Sequence, residues 1–523
     1  VIQEYNNPEH AFTRFLGGEF EDTISDLAVD SNNNIIVTGY TTSPDFPTLS
    51  GYDSTYNGKE AGEYGGDVFI TSLFPNGSLR WSTFFGGSRG DAGQAICVDS
   101  ADNVVIVGST FSTDFPVING HDTSQNGNLD IFVTKFQSNG SLIWSTFLGS
   151  FGTDDAWGVT IDEDDSVFVI GRESDSPNSR DALIAKFNAN GSLEWSETIG
   201  GSGNEGGADI SIDSQGHLVI VGYTSSSDFP SNYTYSSGYQ DIFVVKLTNS
   251  GSFVWGRVFA GSEIEHIESV TIDPYDNIIL SGLTWSNDFP LENATTAQMQ
   301  GAGDIYVVKL SPDGQMLWGS LFGGGYDDES RGIFSDNRGN IFITGYTTSP
   351  DYPITTGYTQ TKVWTKTFLT IVTKDGVIAW SETFGRDTGF NVTNPENMGF
   401  GIVLDNSDNI LIGGFAESDA FPATIGDPHA GRTDGFIIYR ISPFNQFSTS
   451  ITSTIPPLTT RSCTIPTSIT ENCTYPTSKA ESFTETSSIY TSLFISIGFS
   501  SFPLLVGLIC ISVFQIRKQR RRA

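Results

Sequence analysis

One block recurs seven times between residues 11 and 445, and that repetition limits the fold more than any other property of the chain. Its first part reads LAVDSNNNIIVTGYT from Leu27 and returns as ICVDSADNVVIVGST, VTIDEDDSVFVIGRE, ISIDSQGHLVIVGYT, VTIDPYDNIILSGLT, IFSDNRGNIFITGYT and IVLDNSDNILIGGFA. One aspartate recurs at Asp30, Asp99, Asp162, Asp213, Asp273, Asp336 and Asp405, each followed by a glycine nine residues on. The second part reads DVFITSLFPNGSLRWSTFFGG from Asp67 and is anchored by Trp81, Trp144, Trp195, Trp255, Trp318 and Trp380.

Each unit reads as four short strands, predicted in the second unit at 95–99, 104–109, 130–136 and 142–149. A tight Asp/Asn turn joins the first two and an Asn-Gly turn the last two, both strong hairpin signals. The connection between the second and third strands carries Asp-Phe-Pro or a variant, as at 45–47, 114–116, 228–230, 288–290 and 351–353. Four antiparallel strands per repeat, with glycine and aromatic residues at fixed offsets, is the pattern of a propeller blade. The seventh unit stops after its third strand, while residues 11–18 match the fourth strand of the others. An N-terminal strand that completes the last blade closes the ring and covers an open sheet edge. The expected fold is therefore all-β: a seven-bladed β-propeller of four-stranded blades over residues 11–445, closed by the N-terminal strand.

The pattern D-x-F-V-x-K-x-x-x-x-G-x-x-x-W-S-x-x-[FL]-G-G, followed by V-D-x-x-x-N-[IV]-x-[IV]-x-G-x-T, resembles the SBBP beta-propeller repeat family. The third unit departs from it by lacking the Asp-Phe-Pro connection, and the sixth has Lys366 where the others place an aspartate. The resemblance implies a propeller with a role in surface display, and it ties the chain to no one chemistry.

Beyond the repeats the composition changes. Residues 446–488 are rich in Ser, Thr and Pro and read as an extended stalk. Residues 489–514 hold no charged side chain and exceed the roughly 20 needed to span a bilayer, so a C-terminal transmembrane helix is expected. The basic tail 515–523 places that end in the cytoplasm and the propeller outside. A chain that opens at Val1 with no apolar leader reads as a processed or truncated form. Cys463 and Cys473 could close a small disulfide loop in an oxidising compartment. Seven N-x-[ST] sequons, at Asn76, Asn139, Asn190, Asn232, Asn293, Asn391 and Asn472, suit an extracellular glycoprotein, although three of them also serve as hairpin turns.

The net charge of −35 repels nucleic acid and excludes it as a partner. Eight residues before each recurrent aspartate stand Asp22, Asp91, Asp154, Glu205, Glu265, Asp328 and, last, Asn397. Six carboxylates at the mouth of a central channel suggest a cation ring, with Ca²⁺ the cofactor it would hold. The competing expectation is that each carboxylate accepts hydrogen bonds from its own Gly-rich loop. The recurrent aspartates read as turn residues and the tryptophans as blade packing. Five histidines lie at non-equivalent places without metal spacing, no nucleophile elbow or phosphate loop occurs, and arginine is sparse and scattered. No catalytic residue is assigned. The expected function is that of a membrane-anchored, non-enzymatic recognition or adhesion protein, binding protein or glycan through its long-loop face. The alternatives are a cell-surface glycan-active hydrolase or lyase and a structural envelope component. A central pocket with convergent Arg, Glu and Tyr would favour the enzyme, and an open loop-walled funnel the binding protein.

Overall fold

The computed structural model describes residues 10–58, 66–176, 179–232, 240–355, 365–385, 396–417 and 433–441. The stalk, the membrane segment, the basic tail, Cys463, Cys473, Cys510, His429, Asn391 and Asn472 lie outside the described residues. Among the described residues no helix is long and apolar enough to cross a membrane.

The described strands form seven four-stranded antiparallel sheets. The first blade comprises β2 (Asp22–Val29), β3 (Ile35–Thr41), β4 (Asp67–Leu73) and β5 (Leu79–Phe85), hydrogen-bonded in chain order. Five more blades repeat this order up to Phe384. The seventh joins β1 (His10–Leu16) to the outer side of the strand Asp434–Arg440, so both ends of the repeat region share one sheet. The innermost strand of the second blade runs Asp91–Val98, beginning four residues before its predicted start. The reason is a bulge, which breaks the alternation on which a strand boundary is read.

The recurrent residues hold each blade in three ways. Asp30 accepts from the backbone N–H of Asn32 (2.9 Å) and Asn34 (2.8 Å), which fixes the tight turn between β2 and β3. The equivalents Asp99, Asp213 and Asp273 do the same, and each also pairs with a lysine of the third strand at 2.7 Å: Lys135, Lys246 and Lys309. The run from Asp162 to Asp165 is likewise a turn, with Asp162 accepting from the N–H of Asp164 and Ser166.

The tryptophans stitch neighbouring blades together. Trp81 donates to the Ser138 carbonyl, Trp144 to Ala189, Trp255 to Pro312 and Trp318 to Lys374, each acceptor lying in the outer hairpin turn of the next blade. That turn carries glycine because a Cβ on Gly140, already at φ +86°, would lie 2.9 Å from the Trp81 ring. Trp195 and Trp380 lack the bond. For Trp380 the cause is the seam: the outer pair of the seventh blade comes from opposite ends of the chain and has no hairpin turn to offer. There Phe12 stacks on Tyr439 with ring centroids 5.2 Å apart, and Tyr439 takes the place of the lysine by donating to Asp405 at 2.7 Å.

Five third strands, among them Asp67–Leu73 and Asp241–Leu247, are buried along their whole length. Core clusters run from one blade into the next; Ile36, Ile70, Trp81 and Phe85 of the first blade pack with Ile96, Ile106 and Phe132 of the second. The apolar core is thus a ring of inter-blade layers, which leaves the axis to the innermost strands.

Candidate functional site

Every innermost strand carries one β-bulge, at the same place in all seven blades. In β2, Ile24 faces Gly39 and Asp26 faces Thr38, so Ser25 has no partner on the neighbouring strand. The equivalent unpaired residues are Gln94, Trp157, Ala208, Glu268, Arg331 and Phe400. A bulge turns its extra residue out of the ladder and re-aims the side chain. All seven line both a central funnel of about 620 Å³ and a second axial cavity of about 430 Å³, so they form the waist between the two. The funnel is also lined by Glu21 and Glu396, which precede inner strands, and by Gln240 and Thr433, which precede third strands; these put its mouth on the face of the Gly-rich loops.

Two polar groups line this funnel on neighbouring pairs of blades. On the third and fourth blades, Arg172 pairs with Asp155 (2.5 Å) and donates to the Tyr223 hydroxyl (3.4 Å). The indole N–H of Trp157 also reaches Asp155 (3.0 Å), while the residue remains 47% exposed. Burial pushes the Asp155 carboxyl upward against the pull of Arg172. On the fifth and sixth blades, Arg331 Nη1 bonds Glu268 Oε2 (3.2 Å), Arg331 Nη2 stands 3.0 Å from Glu329 Oε1, and Tyr346 donates to Glu329 Oε2 (2.6 Å). His266 joins them: one donor atom each of His266, Glu268 and Glu329 lies within 4.8 Å of the others. Among the described residues no other three His, Cys, Asp or Glu side chains come this close. Burial, and after it repulsion from Glu329, raises the Glu268 carboxyl; burial lowers the His266 imidazole.

The structure does not bring the six carboxylates of the expected cation ring together. Each is buried in its own blade and accepts from its own loop. Asp22 receives the N–H of Gly18 (2.7 Å) and the Ser43 hydroxyl (2.8 Å); Asp91 receives the Gly87 N–H (2.7 Å) and the hydroxyls of Thr110 and Ser112. Asp154 takes the N–H of Ser150 and Ser174, Glu205 that of Gly201, Glu265 that of Gly261 and Asp328 that of Gly324. This is the loop-clamping arrangement named as the alternative. A second carboxylate reinforces it: the aspartate of each Asp-Phe-Pro segment accepts from the same loop, as Asp45 does from Glu19 N–H (3.0 Å) and Asp114 from Ser88 N–H (2.9 Å). The ring of that segment is a core plug, with Phe46, Phe115, Phe229, Phe289 and Tyr352 all buried. Burial drives the clamping carboxyls upward, Asp22 and Asp328 to about 6, Asp91 and Glu265 to about 7.

The funnel residues were not singled out by sequence reasoning, yet a signal exists. Five residues before each recurrent aspartate the seven units read Ser, Gln, Trp, Ala, Glu, Arg and Phe; this position and the one two residues earlier (Thr, Ala, Asp, Gly, His, Glu and Met) differ in every copy of an otherwise repetitive strand. Arginine is scattered along the chain, but folding brings Arg172 and Arg331 to one cavity.

The sequence model of the SBBP beta-propeller repeat matches residues 12–47 and 317–353. An uncharacterized WD repeat-containing protein of Acanthamoeba polyphaga mimivirus is 24% identical over 488 residues, covering 74% of this chain and 35% of that protein. The regulatory protein FlaEY of Caulobacter vibrioides is 25% identical over 339 residues, covering 57% and 33%. The chain thus spans about a third of the length of these curated relatives. Among solved structures, a polysaccharide lyase described as an ulvan lyase is similar over 82% of this chain and 96% of its own, at 10% identity and a TM-score of 0.46. A gluconolactonase from Xanthomonas campestris is similar over 76% and 99%, at 10% identity and a TM-score of 0.35. Structural likeness this low carries no argument about chemistry. Taken with the sheet topology, the sequence match identifies the chain as a seven-bladed β-propeller that carries the SBBP beta-propeller repeat.

Proposed function

We propose that this protein is a recognition module that binds a glycan in the central funnel of its propeller. The observation that carries the reading is the bulge ring: seven equivalent positions, relieved of strand pairing, present seven different side chains to one cavity. A repeat copies what the scaffold needs, so a position that varies in every copy while facing one cavity is where a ligand is read. A funnel of about 620 Å³ is of ligand-pocket size and too narrow for a folded domain, which favours a glycan over a protein. The exposed face of Trp157 offers a stacking surface for a sugar ring, and Gln94, Arg172, Tyr223 and Glu268 offer hydrogen-bonding groups around it.

In this reading residues 446–488 are the stalk, 489–514 the membrane anchor and 515–523 the cytoplasmic tail, which displays the funnel outside the cell. The test is to probe the full-length chain, in detergent, against an immobilised glycan library. Retention on at least one glycan, competed by the free oligosaccharide, is expected; retention on none overturns the reading.

A second reading is a glycan-active lyase or hydrolase. It is favoured by the convergence of Arg331, Glu268, Glu329, Tyr346 and His266 in one wall, the residue types of general acid–base chemistry. Release of reducing ends or of unsaturated sugars from the retained glycan would establish it in place of simple binding.

A further inference from the structure

We propose that His266, Glu268 and Glu329 bind a single divalent transition-metal ion in the funnel wall, with its remaining coordination positions turned toward the funnel. This rests on the funnel being the ligand site and adds the ion through which a ligand is held there.

The donors come from two adjacent blades. His266 and Glu268 lie on the strand Glu265–Ile272, where the bulge at Glu268 brings a residue two positions along to the same cavity. Glu329 lies on Asp328–Ser335, next to the bulge at Arg331. Their donor atoms fall within 4.8 Å of one another, a span that one ion with ligand bonds of about 2.0–2.2 Å closes with small side-chain movements. Both carboxylates meet the single guanidinium of Arg331. Glu329 is held within the cluster from two sides. Its side chain is only 5% exposed, and Arg331 Nη2 stands 3.0 Å from its Oε1 as an ion pair.

The surroundings resemble those of a held ligand set. Tyr346 fixes Glu329 through its other oxygen, and the His266 ring meets the edge of Trp285 at 5.0 Å. One imidazole nitrogen with two carboxylates suits Zn²⁺ or Mn²⁺; Ca²⁺ asks for six to eight oxygens. Three protein ligands leave open positions, and Glu268 (24% exposed) and Arg331 (31% exposed) mark the side on which they open. Arg331 is the natural competitor of the ion, since its guanidinium is held by both carboxylates.

The test is calorimetric titration of the chelator-stripped full-length chain with Zn²⁺ and, separately, Ca²⁺. One Zn²⁺ per chain is expected, weakened at least a hundredfold by His266→Ala and by Glu329→Gln. Arg331→Gln should tighten it at least tenfold, because that change removes the competing charge and no ligand. Thermal melts of the metal-free variants check folding, and His266→Gln replaces any variant that fails it. No Zn²⁺ binding, or binding that these changes leave alone, overturns the site, as does Ca²⁺ displacing Zn²⁺ at equal concentration. A funnel that binds its glycan equally well without metal would overturn the ion's part and leave glycan recognition standing. Metal bound at these residues with no glycan retained would do the reverse.

Discussion

Glu268 and Arg331 occupy the same position of two neighbouring blades, and their side chains meet at 3.2 Å across the blade boundary. Both are bulge residues, released from the strand ladder and pointed at the axis. The scaffold that holds them is built from other positions, and the two sets of residues can be tested separately.

The seam is the first test of the scaffold. Tyr439→Phe leaves the Phe12 stack in place but removes a donor from the buried Asp405. An acceptor deprived of one partner should cost about 1–3 kcal/mol, read as a lower denaturation midpoint. Deleting residues up to 18 should cost far more, since it also opens the edge of the seventh blade. Equal midpoints for the deletion and the parent would rule out closure by β1.

The tryptophans allow a matched comparison. Trp144 and Trp380 are both 1% exposed, but only Trp144 donates to the next blade. Replacing each with Phe removes the same surface and the same indole N–H. Trp144→Phe should therefore be the more destabilising by about 1 kcal/mol, the worth of a hydrogen bond. Urea unfolding of the two variants measures the difference, and a larger loss for Trp380→Phe would count against the stitching role.

The clamping carboxyls set an unusual pH dependence. Asp22, Asp91, Glu265 and Asp328 titrate near 6 to 7 in the folded chain, above their ordinary values, chiefly through burial. A carboxyl raised on folding contributes stability that is complete below its unfolded pKa and lost as pH rises through the folded one. The lysine-paired Asp99, Asp213 and Asp273 are lowered on balance, because bonds from lysine and the turn N–H groups outweigh burial; their contribution is lost only in stronger acid. The melting temperature should thus be highest near pH 5 and fall toward pH 8. Asp91→Asn should flatten that fall. A melting temperature that rises between pH 5 and pH 8 would contradict the assignment.

Much of the scaffold was legible because the repeat names its own structural residues. The recurrent aspartates bind their turns, the tryptophans pack between blades, and residues 11–18 contain the body of the closing strand. The six carboxylates were found at the right spacing and given two roles. Only the Gly N–H and Ser and Thr hydroxyl donors supplied by separate loops show that clamping is the role they perform. The funnel was not legible, for a physical reason. A strand read by alternation has no place for an inserted residue, so Ser25, Trp157 and their equivalents looked like ordinary ladder positions. Arg172 and Arg331 meet the axis from a second strand and a first strand of different blades, and no local spacing marks that meeting.

The account depends most on the funnel being where a ligand is read, and Trp157 tests it best, being exposed and outside the apolar core. Titrating the retained oligosaccharide into the parent chain and into Trp157→Ala compares the two directly. At least tenfold weaker binding by the variant is expected, with a melting temperature lowered only modestly by loss of the indole donor to Asp155. Equal affinity for both proteins would contradict it.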